Sequence, residues 1–174
     1  MGKKSGGGRE KPGKTAADLT RIPEPETTAD RIVLEIRKFL MGGIFFNAKA
    51  AERVGLGLTD MQILHLLQIY GPATPGKIAA STGLSSGGVT VALDRLEKGG
   101  YIRREPNPAD RRSLLIALVP ARLRRLGAMY EGIEQETRRL LATLPARDQE
   151  AVVRFFETMG QARADGGESM LNGK

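Results

Sequence analysis

Apolar residues recur at steps of three and four through Ile32, Ile36, Phe39, Gly43, Phe46 and Ala50, which predicts a long amphipathic helix from Thr27 to about Val54. Thr27 or Thr28 can cap its start, and the Gly42-Gly43 pair marks either a bend or a close approach by another helix. After a short Leu56-Gly57-Leu58 connection, Thr59 and Gln62 fit a capping box for a second helix ending near Tyr70 and Gly71. Its interior, MQILHLLQIY, is apolar on most sides and belongs deep in a domain. Thr74-Pro75 opens a third helix of two turns, stopped by Gly83. A fourth begins at Ser85 or Ser86, turns Val89, Ala92, Leu93 and Leu96 to one side, and ends at Gly99-Gly100.

The period then changes. Residues 101–105 and 112–119 are β-suited runs on either side of Pro106-Asn-Pro-Ala-Asp-Arg111, a hairpin with a long charged tip. Two short capped helices after a buried one, followed by such a hairpin, predict a helix-turn-helix with a wing. Beyond Pro120, the residues Leu123, Leu126, Tyr130, Ile133, Thr137, Leu140 and Leu144 form a heptad-like seam, and after Pro145 a last helix carries Val152, Phe155, Phe156 and Met159. The terminal helices hold more apolar surface than a winged helix of ~60 residues can use, which predicts a homodimer. The fold class is therefore mainly α with a small β-hairpin wing: a winged helix-turn-helix flanked by N- and C-terminal dimerisation helices. The expected division is a disordered basic tail (1–26), an N-terminal dimerisation helix and connection (27–58), a winged helix-turn-helix domain (59–119), C-terminal dimerisation helices (120–163) and a flexible tail (164–174).

Composition narrows the chemistry. Among 174 residues there is no Cys, which excludes disulfides, thiolate metal sites and cysteine redox sensing, and the single His, His65, cannot build a histidine metal cluster. No catalytic residue, metal or cofactor is expected: neither a G-x-S-x-G elbow nor an H-E-x-x-H motif occurs. A net charge of +7 favours an anionic partner, and nucleic acid is the commonest. No apolar run approaches the ~20 residues of a membrane span, and the basic N-terminus lacks a signal-peptide h-region, so a soluble cytoplasmic protein is expected. Lys3, Lys4, Arg9, Lys11 and Lys14 against Glu10 make the tail either a solvated segment or an arm adding phosphate contacts.

The fourth helix raises a question at its start. Gly87 and Gly88 each cost about 1 kcal/mol relative to Ala, so a glycine-rich first turn needs a compensating reason. A turn without side chains brings backbone N–H groups and the positive helix end against a phosphate or base edge; the plainer readings are a tight crossing with the preceding helix or a frayed end. Short hydroxyls on Ser85, Ser86 and Thr90 serve as caps or donate to DNA.

The order of elements, together with LTDMQILHLL and KIAASTGLSSGGVTVALDRLEKGGYIRREPNPADRRSLLIAL, resembles the MarR family of bacterial transcriptional regulators over about Thr27 to Gly160. The most specific part is DRLEKGGYIRR followed by Asp110-Arg111-Arg112-Ser113. The resemblance implies a homodimer with interleaved terminal helices on a pseudo-palindromic double-stranded operator, a recognition helix in each major groove, and half-sites about 34–36 Å apart. It implies that Arg112 enters the minor groove, that Asp110 orients it by an ion pair, and that Arg111 contacts phosphate. The DNA-binding set expected here is Thr74, Lys77, Ser85, Ser86, Gly87, Gly88, Thr90, Val91, Arg95, Asp110, Arg111 and Arg112. The chain departs from the pattern at Gly88 and Val91, where relatives place residues able to read bases, so hydrogen-bond readout by this helix is expected to be thin, and contact between Val91 and a thymine methyl, together with shape reading by the wing, to carry more of the specificity. Pro120 stands where relatives usually have a capping Thr.

The function expected is a sequence-specific regulator, and the resemblance implies a repressor released by a small phenolic or anionic ligand bound between the dimerisation helices and the winged domain; Phe39, Phe46, His65 and Tyr130 are the candidate lining, with core packing the other reading of the three aromatics. The rivals are a winged-helix protein-interaction module and a nonspecific DNA-binding protein; salt dependence separates them.

Overall fold

A computed structural model describes residues 22–171, with side-chain surroundings described through residue 162. The basic segment of the expected tail, residues 1–21, lies outside the described residues. The helices are α1 (Thr28–Arg53), α2 (Leu58–Tyr70), α3 (Pro75–Thr82) and α4 (Ser86–Lys98), followed by strands β1 (Ile102–Pro106) and β2 (Leu114–Leu118) and helices α5 (Pro120–Leu141) and α6 (Ala146–Leu171). The chain divides after Asn47, within α1, into two units.

In the first unit, Thr27 and Asp30 cap α1 reciprocally. The Asp30 amide donates to Thr27 Oγ1 at 3.1 Å, and the Thr27 amide to Asp30 Oδ2 at 2.9 Å. The Thr27 hydroxyl also donates to Asp30 Oδ2 at 2.6 Å, and this bond, with that from the Thr27 amide, holds the Asp30 carboxyl below its usual range. Val33, Phe39, Leu40, Ile44 and Phe45 are exposed, and a Cβ on Gly42 or Gly43 would meet nothing of the described chain within 4 Å.

The second unit holds the core. Met61, Ile63, Leu64 and Leu67 of α2, Ile78 of α3, Val89, Ala92, Leu93 and Leu96 of α4, and Ile102 and Ile116 of the hairpin are all buried. Each fully buried Leu, Ile or Met contributes about 1.5–3 kcal/mol relative to exposure. The apolar face predicted for α4 is the buried one. α2 is less enclosed than its composition suggests: Ile69 and Tyr70, at its C-terminal end, are exposed.

The cap of α2 differs from the expected one. The helix begins at Leu58, so Gly57 is the N-cap and Asp60, not Gln62, stands at the third position, where Oδ2 accepts from the Gly57 amide at 2.9 Å. At the other short helices the expected chemistry is present. Thr74 Oγ1 accepts from the Lys77 amide, Pro75 is the first residue of α3, and Gly83 ends it at φ 70, a left-handed conformation that suits glycine.

The wing is an antiparallel pair running from Ile102 opposite Leu118 to Pro106 opposite Leu114. Ala73, between α2 and α3, adds a bridge to Ile116 through two backbone bonds of 3.2 and 2.8 Å, fixing the wing to the helix-turn-helix. Val119 precedes α5 in extended conformation without a side-chain cap, and Pro120, which has no N–H to leave unsatisfied, is its first residue.

Leu126 is the buried member of the heptad seam, whereas Ile133, Leu140 and Leu144 are exposed. α5 ends at Leu141, so Leu144 lies in the following turn. α6 continues through Leu171 where a flexible tail from 164 was expected; Gly166 and Gly167 weaken a helix but do not break it as proline would.

Candidate nucleic-acid interface

The site grows from α3, α4 and the wing. Ser85 caps α4 by accepting from the Gly88 amide at 3.2 Å, a bond of the kind that stabilises a helix by about 1 kcal/mol. The two glycines of the first turn then separate. A Cβ on Gly88 would sit 3.3 Å from Ser85 Oγ, so Gly88 leaves room for the cap. A Cβ on Gly87 would meet nothing within 4 Å, and Gly87 is exposed beside exposed Ser86. Of the three explanations for a glycine-rich start, a tight crossing with the preceding helix is excluded at Gly87, whose side faces open space.

That difference gives a clean test. Gly87→Glu places a carboxylate at the α4 N-terminus where nothing crowds it, so DNA affinity is expected to fall more than tenfold by fluorescence anisotropy while the melting temperature does not fall, since Glu suits the first turn better than Gly. Normal affinity would mean that this turn does not meet DNA. Gly88→Glu tests two things at once, because it also crowds the Ser85 cap.

Beyond the first turn, the polar groups of α4 other than Lys98 bond within the protein. Thr90 Oγ1 donates to the Ser86 carbonyl at 2.9 Å. Asp94 and Glu97 both hold Arg104 of β1, Asp94 at 2.6 Å, which locks the wing to α4.

Arg95, expected to face DNA, has another partner. Its Nε donates to Asp60 Oδ2 at 2.8 Å and its Nη2 to Oδ1 at 2.7 Å, a bidentate pair between α4 and the head of α2. Asp60 is 0% exposed, and its hydrogen bond and charge raise the Arg95 guanidinium above its ordinary pKa. The sequence reading, which assigned the cap to Thr59 and Gln62, passed over Asp60 and this pair; the signal available was an Asp at the head of an otherwise apolar helix. Val91, by contrast, is 62% exposed.

In the wing, the shaft and the tip differ. Arg103 pairs with Glu105, and Arg104 with Asp94 and Glu97. Arg111 and Arg112 at the tip are exposed and have no ion pair among the described residues; the same holds for Lys77 and Lys98. The implied Asp110–Arg112 ion pair is absent. Instead Asp110 Oδ1 accepts from the Arg112 backbone amide at 3.0 Å, while the Ser113 amide donates to the Asp110 carbonyl at 3.0 Å. Asp110 shapes the turn that presents Arg112, and leaves the guanidinium unpaired. Asn107 closes the tip by donating to Ser113 Oγ at 2.8 Å.

Of the residues expected to line a ligand, His65 and Tyr130 meet edge to face, with ring centroids 4.9 Å apart at 78°. Burial lowers the His65 pKa and raises that of Tyr130. Phe39 and Phe46 belong to the first unit, where Phe39 is 73% exposed and Phe46 half-buried. A cavity of about 110 Å³, not foreseen in the sequence, is lined by Val54, Tyr101, Arg122, Arg125 and Leu126. Arg122 donates to the Gly99 carbonyl at 3.1 Å and lies 5.4 Å from the Tyr101 ring centre, so the start of α5 is held against the root of the wing.

The lowered His65 pKa has a defined sign. Its ordinary value is 6.5, and a folded value below that means the unfolded chain binds the proton first as pH falls. Stability is fully present above about pH 6.5 and declines below it, toward the lower folded pKa. The melting temperature is expected to drop between pH 7 and 5 by less in His65→Gln than in the parent; equal drops would remove His65 as the cause.

Among the described residues no helix is long and apolar enough to cross a membrane, and no group of acidic or histidine side chains is placed to hold a metal ion.

Comparison with known proteins agrees with this arrangement. A family model described as MarR family matches residues 54–113, from the end of α1 through the wing tip. The Bacillus subtilis protein "Uncharacterized HTH-type transcriptional regulator YcgE" is 33% identical over 132 residues, covering 76% of this chain and 84% of that one. The multiple antibiotic resistance protein MarR of Salmonella typhimurium is 36% identical over 62 residues, 36% of this chain and 43% of its own. Among solved structures, the transcriptional regulator Tm0710 from Thermotoga maritima matches with TM-score 0.56 and 20% identity over 79% of this chain and 97% of its own. A MarR transcriptional regulator from Methanosarcina mazei matches with TM-score 0.57 and 18% identity over 78% and 98%. Identities this low speak for the fold alone; the YcgE match, over most of both chains, speaks for kinship. The chain belongs to the MarR family.

Proposed function

We propose that this DNA-binding transcription regulator acts as a homodimer on a pseudo-palindromic double-stranded operator, with α4 of each subunit in the major groove and the wing on the flanking minor groove. The observation that carries the reading is the contrast within the wing: shaft arginines Arg103 and Arg104 are neutralised by carboxylates, while tip arginines Arg111 and Arg112 are exposed and unpaired among the described residues. A cation held at the end of a hairpin with no internal partner suits the strong negative potential of a narrow minor groove. Lys77, near the start of α3, adds phosphate contact, as do the short side of Ser86-Gly87 and the Thr74 region. Arg95 is a positioning residue, setting α4 on α2 through Asp60.

Exposed apolar side chains support the dimer. Phe39, Leu40, Ile44 and Phe45 on α1, Ile133 and Leu140 on α5, and Val153, Phe155 and Phe156 on α6 are more than an isolated chain leaves in water without a partner. A second copy covers them, and two winged helices then read two half-sites.

The regulatory sense is repression by occupancy, relieved by a small anionic effector. The cavity at Val54, Tyr101, Arg122, Arg125 and Leu126 supports that ligand class, because Arg125 has no ion pair among the described residues. An effector that prefers a DNA-incompetent spacing of the recognition helices withdraws the protein from its operator.

Light scattering coupled to size exclusion tests the assembly. Two chains are expected without DNA and two per operator duplex with it. A monomer that binds DNA one chain at a time would overturn the dimer, and a dimer that binds no duplex would favour a protein-interaction module.

A further inference from the structure

Operator binding by α4 leaves open which base feature the helix reads, and the answer follows from which of its groups remain uncommitted. On the exposed side of α4, Arg95 is bound to Asp60, Asp94 is bound to Arg104, and the Thr90 hydroxyl donates to the Ser86 carbonyl. Ser85 is occupied as the cap. Ser86 keeps a hydroxyl, but a hydroxyl is donor or acceptor as required and separates base pairs poorly. Lys98, at the far end of the helix, is a flexible point charge suited to phosphate.

What stands clear is Val91. It is apolar, β-branched and 62% exposed in a helix, where solvent exposure and helix propensity both disfavour it. Gly87 precedes it by four residues and therefore lies on the same side of the helix, about 6 Å along the axis, close to two base-pair steps. With open space at the Gly87 Cβ position, the backbone can approach the groove floor there, which brings the Val91 methyls to base-edge depth. In the major groove, the one base feature that an apolar side chain recognises is the C5-methyl of thymine.

We infer that α4 reads thymine methyls through Val91, so that each operator half-site is specified in the major groove by thymine at one or two fixed positions. The inference rests on the operator-binding reading above. Base hydrogen bonding contributes little to the choice of sequence, and discrimination comes from burying methyl against methyl. The opposite preference is equally defined: cytosine, with an amino group in place of the carbonyl and no methyl, is rejected, while 5-methylcytosine restores part of the contact.

The test begins with duplexes selected by the full-length protein from a randomised pool. Each thymine of the selected half-site is then replaced in turn by deoxyuridine, which removes the methyl and leaves every hydrogen-bonding group in place. Replacement at one or two positions is expected to weaken binding about fourfold per methyl, and about fifteenfold when both half-sites are changed. Val91→Ala should weaken binding to the thymine duplex to a similar degree and become indifferent to deoxyuridine at those positions. Equal affinity for every deoxyuridine duplex overturns the inference while leaving the regulator intact. Undiminished deoxyuridine sensitivity in Val91→Ala overturns the role of Val91. A pool that yields no selected sequence overturns operator binding itself, and the inference with it.

Discussion

Replacing Arg112 with Ala is expected to lower operator affinity about a hundredfold and to leave the folded dimer unchanged. The two halves of that expectation have separate sources. Arg112 contributes only its backbone amide to the wing, donated to Asp110 at 3.0 Å, and an alanine keeps that amide. No ion pair is lost, since the guanidinium has none among the described residues. On DNA, each arginine contact is worth about 1–3 kcal/mol, and a symmetric dimer makes it twice; at 1.4 kcal/mol per factor of ten, a hundredfold loss is within that range. Fluorescence anisotropy at fixed salt measures the first part and thermal unfolding the second. Affinity within twofold of the parent would take the wing out of recognition. Asp110→Ala is expected to act in the same direction, more weakly, by loosening the turn that presents Arg112.

The largest effect on stability is expected from Arg95→Ala. That change leaves the Asp60 carboxylate, 0% exposed, with the Gly57 amide as its only remaining bond among the described residues. Breaking a buried pair by removing one partner costs about 3–5 kcal/mol. The Arg95 side chain is 50% exposed, so water screens part of the interaction and the lower end, about 3 kcal/mol, applies. Arg95→Lys is expected to recover little of it, because one ammonium cannot replace the two parallel bonds from Nε and Nη2. The Asp60→Ala, Arg95→Ala double variant is expected to lose less than the sum of the single losses. Urea denaturation of the parent, Arg95→Ala, Arg95→Lys, Asp60→Ala and the double variant measures these losses, and a loss below about 0.5 kcal/mol for Arg95→Ala would show that Asp60 is not held by this pair.

These two arginines show where the sequence was legible. Local signals carried far: Thr74-Pro75, Ser85, Gly83 and Gly100 act at the ends of α3 and α4 as their types require, with Gly83 and Gly100 both left-handed, and the apolar period of α4 selects the side that is buried. The hairpin between Tyr101 and Val119 was equally readable, because two short β-suited runs on either side of a Pro-Asn-Pro tip leave few other solutions. What escaped was chemistry between residues distant in the chain. Asp60 and Arg95 are 35 positions apart, and no periodicity links an acid in one helix to a base in another. Arg104 escaped for the same reason: in sequence it resembles its neighbours Arg103 and Arg112, and only the fold brings Asp94 and Glu97 to it. The Asp110–Arg112 relation was nearer the mark, with the right residues and the wrong bond, since at a separation of two the carboxylate meets the backbone amide more readily than the guanidinium. The first-turn glycines divide between the two kinds of explanation, Gly88 serving the Ser85 cap and Gly87 facing open space.

Specific operator binding is the claim on which the rest depends. The direct test is anisotropy of the full-length protein with a genomic duplex from beside its own gene and with a scrambled duplex of the same length, each across a salt series. Both complexes are expected to weaken with salt, from the phosphate contacts of the tip arginines and lysines, and the genomic duplex to bind at least about a thousandfold tighter at physiological salt. Equal affinity for the two duplexes at every salt concentration would contradict the account, since it would leave charge alone to explain the binding.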